Sequence, residues 1–235
     1  MTTPTPAQTA AAIVPPLPPI NQDPAVIGAT AATDAYPAQI DAIRQDPRLS
    51  ELAKAEQLAT AHENHLAALD QHRTDLQNRR AARLAMLEPV IPTGPGYPAD
   101  ASAADRAVLA TAFRTALDQA RATPAKARAA ALDDAIRFGD DTQIRALITA
   151  AQDDGDTQLV DRWAAATGKT EFVTEIRALR VQLAGHDPAT RGWERRAFMP
   201  QRRPPEAANV AVLRKAAEDA ARAQARTRQL NPYAR

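Results

Sequence analysis

Between Pro47 and Pro89 the chain has neither proline nor glycine, and this uninterrupted run constrains the fold more than any other feature of the sequence. Asp46-Pro47 reads as a start signal, because Asp caps a helix and Pro suits its first position. About forty residues rising 1.5 Å each make a rod of about 60 Å. Leu52, Ala59, Leu66 and Leu87 share one heptad position and Ala55, His62, Leu69 and Leu76 the other, with Arg73, Arg80 and Arg83 interrupting the seam. Residues 38–89 are therefore expected to form one long, coiled-coil-like amphipathic helix. A narrow apolar stripe does not stabilise so long a helix alone, so a partner is required in this chain or another, with Leu52, Leu66, Leu69 and Leu76 as candidate contacts.

Composition sets the fold class. About a quarter of the 235 residues are alanine and only 4% are aromatic. Alanine leads the helix-propensity scale but buries little apolar area, which predicts an all-α protein whose helices pack closely and gain modestly from it. The absence of cysteine excludes disulfides and thiolate metal sites. No run of eighteen apolar residues occurs, and the start lacks the basic region of a signal peptide, so the protein is expected to be soluble and intracellular when made.

Around the long helix the chain divides further. Eight prolines lie between Met1 and Pro37, and residues 1–37 are expected as an extended Pro-rich arm with Ile13, Val14, Leu17 and Ile20 as its anchors. Residues 90–100, which contain Val-Ile-Pro-Thr-Gly-Pro-Gly-Tyr-Pro, form a linker. Residues 101–185 read as a small helical-hairpin domain with helices at Ala103–Ala122, Pro124–Phe138, Asp141–Gln152, Thr157–Ala166 and Thr170–Ala184. Gly139, Gly155, Gly168 and Gly185 fall where C-caps are expected. The segments Asp141-Thr142-Gln143-Ile144 and Asp156-Thr157-Gln158-Leu159 resemble each other, each opening a helix after a Gly-containing turn. Residues 186–235 are a mostly irregular basic segment followed by a C-terminal helix from Pro205 to about Gln229, with Val210, Leu213, Ala217 and Ala220 on one face.

Motifs for chemistry are weak throughout. Gly168-Lys169-Thr170 ends like a phosphate-binding loop, but Trp163 occupies the position where that loop needs its first Gly. His62 and His65 stand three apart and His65 and His72 seven apart, neither of which lets one helix chelate an ion; an interhelical or solvated role is expected, with a pH-sensitive seam as the alternative. The pairs Asp133-Asp134, Asp140-Asp141 and Asp153-Asp154 fit the acidic first turns of helices. No nucleophile elbow is present. No catalytic, cofactor-binding or metal-binding residue is assigned, and no enzyme activity or small-molecule substrate is expected.

Charge is the strongest functional signal. Arg191 to Arg235 carries eleven Arg or Lys against four Asp or Glu, whereas the whole chain nets only +1. Such an end suits an acidic surface, either a protein neighbour or a nucleic-acid backbone. Trp193, Arg195, Arg196, Phe198, Arg202 and Arg203 are its candidate partner-binding residues, since aromatics among arginines form binding surfaces. The Ala/Arg/Pro composition, the arm-plus-helix plan and the arginine-rich end with Arg202-Arg203-Pro204-Pro205 resemble structural and scaffold-type proteins of tailed phages of GC-rich bacteria. That resemblance implies a non-enzymatic virion component, made in the bacterial cytoplasm and bound to other subunits as a homo- or hetero-oligomer, with no membrane association. A transient assembly scaffold or chaperone and a nucleic-acid-binding adaptor are the alternatives.

Overall fold

The computed structural model describes residues 16–185 and 188–230. They form nine α-helices and three short 3-10 turns, with no strand among the described residues, as expected for an all-α chain. Contacts divide them into two compact units, one of residues 80–185 and one of residues 17–79 with 188–230. The expected arm anchors Ile13 and Val14 lie outside the described residues.

The second unit begins with α1 (Pro24–Gln45), entered through Asp23, whose side chain accepts the Ala25 N–H at 2.8 Å. This corrects the expectation of an extended arm to residue 37. Pro24 stands at the first helical position, where its missing N–H costs nothing, and Pro37 is tolerated inside the helix. An interior proline costs about 3 kcal/mol, which the burial of Tyr36 and Ile40 on the same turn offsets. Helix α2 (Glu51–Leu87) follows; it starts four residues later than Asp46-Pro47 suggests, because Ser50 accepts the Ala53 N–H at 3.2 Å. Tyr36, Ile40, Leu58, Ala61 and Ala207 form the buried cluster of this unit. Gly28 lets α1 approach α2: a β-carbon there would lie 2.5 Å from the His72 ring.

Burial along α2 corrects the heptad reading. From Leu58 to Leu87 the buried residues Leu58, Ala61, His65, Leu69, Leu76, Arg80, Arg83 and Leu87, with half-buried His72 between, recur in steps of three, four and four. That is an eleven-residue period, about 3.67 residues per turn, the repeat of a right-handed supercoil and not of a left-handed heptad coil. Leu69 and Leu76 are thus buried within the chain, Leu52 is half-buried, and Leu66 is 40% exposed. Arg80 and Arg83, expected to interrupt the seam, are buried parts of it.

The unit continues with α8 (Pro188–Ala197), which packs on α1, a helix where an irregular basic segment was expected. Pro188 again takes the first position, and Arg195 and Arg196 end the helix in favourable register with its dipole. An irregular strap leads to a 3-10 turn, Pro205–Asn209, and to α9 (Val210–Leu230). The turn is tied down by buried Ala207 and by Arg44, which donates to both Glu206 oxygens at 2.9 and 3.1 Å.

The other unit contains α3 (Ala103–Ala122), α4 (Ala125–Phe138), α5 (Asp141–Asp153), α6 (Thr157–Ala166) and α7 (Thr170–Leu183), within two residues of the sequence reading at every end. Ser102 and Asp105 form a capping box at the start of α3. Three Schellman ends join the later helices: Gly139, Gly155 and Gly168 adopt φ near +70°, and the N–H groups of Asp140, Asp156 and Lys169 reach back to Ala135, Ala151 and Ala164 at 2.9, 2.7 and 2.7 Å. Asp140 and Asp156 then cap the next helices, so the two similar segments correspond through Gly139-Asp140 and Gly155-Asp156. Helix α5 is central, packed against α3, α4 and α6, with Ala146, Leu147, Ile148, Ala150 and Ala151 fully buried. Val90 and Ile91, expected in a linker, are buried as well.

Candidate anion-binding groove

Arginine is the main basic residue of this chain, and the structure uses it in two ways. In the helical domain it ties helices together. Arg83 donates to both Glu175 oxygens at 2.8 Å, a bidentate bond that raises its pKa despite burial. Arg162 does the same to Asp133 at 2.7 and 2.5 Å, holding that carboxyl below the usual range. Arg121 meets Asp153, Arg145 meets Asp141, Arg177 meets Asp161 and Arg180 meets Glu88. Buried Arg128 closes the C-terminus of α3, donating to the carbonyls of Ala120 and Thr123 at 3.0 and 3.1 Å and to Asp154 at 2.6 Å, which satisfies groups that a helix end leaves open.

These bonds correct the reading of the aspartate pairs. Asp140 is a cap, but Asp133 and Asp134 lie in the later turns of α4, and Asp153 and Asp154 end α5. Each of these four is held by an arginine, Asp134 by Arg137. Among the described residues no group of three or more His, Cys, Asp or Glu is placed to hold a metal ion, and no helix is long and apolar enough to cross a membrane. Lys169 of the Gly-Lys-Thr stretch lies 5.5 Å from the Trp163 ring. Burial and then Arg145 lower its pKa, with Asp141 opposing; it precedes α7 as the flanking residue, and Thr170 is the first helical one.

In the second unit, most arginines outside α8 and the strap behave the same way. Asp23, 2% exposed, accepts from Arg79, Arg48 meets Asp46, and Arg214 meets Glu56 at 2.7 Å. On α8 and the strap the pattern stops. Arg191, Arg195, Arg196 and Arg202 are exposed, and no described carboxylate lies within ion-pairing distance of them. Arg203 is exposed and donates to the Ala207 carbonyl at 3.2 Å.

Two of these arginines line a groove of about 310 Å³ with Arg73 of α2, Glu194, Phe198, Met199 and Pro200. Arg191 and Arg195, four apart on α8, face it together. Phe198 is half-buried and Met199 is 60% exposed. Of the residues expected to bind partners, Arg195 and Phe198 meet here. Trp193 is half-buried, and Arg196, Arg202 and Arg203 lie outside the groove lining. Leu17 and Ile20 belong to the start of the same unit, half-buried and 41% exposed. Arg191 opens the basic end that the sequence marks out, whereas Arg73 carried no signal as a site residue, although the eleven-residue period would have helped: His72 lies on the buried stripe, so Arg73 must point off it.

A histidine cluster holds the strap that supplies one wall of the groove. His65, 5% exposed, stacks on Tyr36 with ring centroids 4.4 Å apart, and Tyr36 Oη lies 3.0 Å from His62 Nδ1. His65 Nε2 accepts the Gln201 N–H at 3.2 Å, so the ring is neutral with its proton on Nδ1. Burial, and then neighbouring His62, lower its pKa. The sequence suggested a solvated or interhelical histidine; the structure places it between Tyr36 of α1 and the backbone of the strap.

Compared with protein-family models, with curated proteins and with solved structures, the chain matches none.

Proposed function

We propose that this protein is a non-enzymatic structural component of a large assembly, a tailed-phage virion, and that it holds neighbouring subunits through its C-terminal helix. The observation that supports this reading is α9. Its N-terminal part is attached by Arg214 to Glu56, and Val210 and Leu213 are half-buried. From Lys215 to Arg226 every side chain is exposed. Val212 is 70% exposed, and Ala217 and Ala220 continue the Leu213 face without cover. Alanine propensity and the Glu218–Arg222 contact at 3.7 Å support a helix only partly, because a single helix in water is marginal and packing supplies most of its stability. A neighbouring subunit that covers this face completes the structure.

The particle assignment rests on the Ala/Arg/Pro composition and the basic end. The long helix is no longer part of the docking surface except at Leu66, since Leu69 and Leu76 are buried within the chain. Deleting residues 1–37 would remove Tyr36 from the core, so it is a poor test of assembly. The informative variant ends at Asn209. Light scattering of the full chain and of this truncation tests the reading: a full chain larger than one copy and a monomeric truncation support it, whereas a full chain that is monomeric alone and beside its neighbouring gene products overturns it.

A further inference from the structure

The groove between α2 and α8 brings together arginines from two helices, none of them within ion-pairing distance of a described carboxylate. Arg73, Arg191 and Arg195 converge on about 310 Å³ of space with one lining carboxylate, Glu194. Arg191 and Arg195 are like charges at i and i+4, an arrangement that disfavours the helix carrying them. Elsewhere in the unit Arg44, Arg48, Arg79 and Arg214 each have a carboxylate. Stability alone therefore gives no reason to gather three unneutralised guanidinium groups. The favourable dipole position at the end of α8 accounts for Arg195 and Arg196, but not for Arg73 on another helix or Arg191 a turn earlier.

The groove has a second property. Phe198, Met199 and Pro200 give it an apolar wall, which an acidic peptide does not need but a nucleobase does. Guanidinium forks match phosphate oxygens bidentately, and an aromatic face stacks on any base without regard to sequence. Exposed Arg196 and Arg202 on the same segment offer further positive charge beside it. We propose that this groove binds single-stranded nucleic acid, with Arg73, Arg191 and Arg195 on successive phosphates and a base against Phe198. The site is independent of the assembly reading, which concerns the face of α9.

Fluorescence anisotropy of a labelled twelve-nucleotide oligo(dT) with the full chain tests it. Three phosphate contacts give a log–log salt slope of about −2 for a single strand, about −0.7 for each contact. Arg73→Ala, Arg191→Ala and Arg195→Ala should each weaken binding about tenfold at 50 mM salt and reduce the slope by about 0.7. Phe198→Leu should weaken binding without changing the slope. Arg106→Ala with Arg114→Ala, which removes two exposed arginines of α3, should leave binding unchanged, and trp fluorescence should show each variant folded. Absence of binding, equal loss in the α3 double variant, or equal competition by a twelve-residue polyglutamate would overturn the proposal. The oligomeric state read by light scattering is a separate outcome, so failure here leaves the assembly reading intact.

Discussion

Helices α5 and α9 are both amphipathic and alanine-rich, yet one is enclosed by its own chain and the other is not. Helix α5 carries Leu147 and Ile148 among small residues and is fully buried along Ala146–Ile148 and Ala150–Ala151. Helix α9 carries Val212 at 70% exposure, and no described side chain beyond Leu213 is even half-buried. The arginines divide in the same way. Most of those around α5 are matched by carboxylates, exposed Arg106 and Arg114 of α3 excepted, and among the described residues those of α8 and the strap are not. An amphipathic pattern and a basic side chain thus acquire meaning only from what faces them: in the helical domain they close a fold, and at the C-terminal end they offer a surface.

The sharpest way to break this contrast is at the centre of each helix. Leu147→Ala should destabilise the helical domain by about 3 kcal/mol, since its buried site collapses poorly; a loss below 1 kcal/mol in urea denaturation would show that α5 is not a true core. Arg128→Ala should follow with about 2 kcal/mol, because it opens the carbonyl end of α3 while leaving Asp154 half in water. Arg195→Ala should change stability by less than about 0.5 kcal/mol, and a larger loss would make the groove arginines structural like those of the helical domain.

His65 supplies a pH test of intermediate size. Its folded pKa is depressed below the ordinary 6.5 by burial, so the unfolded chain binds the proton more readily than the folded one. Its contribution is present above about pH 6.5 and is lost as pH falls through the lower folded value. Acidification to pH 5 should therefore lower the urea midpoint of the second unit, and His65→Leu should reduce that dependence; an unchanged midpoint would mean that the Gln201 N–H is not held by this ring. The smallest effect is expected for Val212→Ala, less than about 0.5 kcal/mol on the isolated chain, with a loss of association as its only large consequence.

What the sequence revealed followed from how local each signal was. The five helices of residues 103–183 were readable because glycine at a left-handed cap and aspartate at the next N-cap act within four or five residues. Residues 24–37 are helical and not an extended arm because proline is a local signal overridden by tertiary burial: Pro24 sits where a helix accepts it, and Pro37 is carried by Tyr36 and Ile40. The long helix was recognised, but its period was not, since His65, Arg80 and Arg83 look polar and break a heptad while they continue an eleven-residue stripe. The groove was half visible. Arg195 and Phe198 stood out by composition, whereas Arg73 arrives from a helix more than a hundred residues away and could be placed only by the fold.

The central claim is that α9 draws its stability from a neighbour and α5 from its own chain. Amide hydrogen exchange, read for both helices at falling protein concentration with the mass followed by light scattering, tests it directly. Protection of α5 should be independent of concentration, and protection of α9 should fall to little above an unfolded peptide once single copies dominate. A single copy that protects α9 as strongly as α5 would contradict the account.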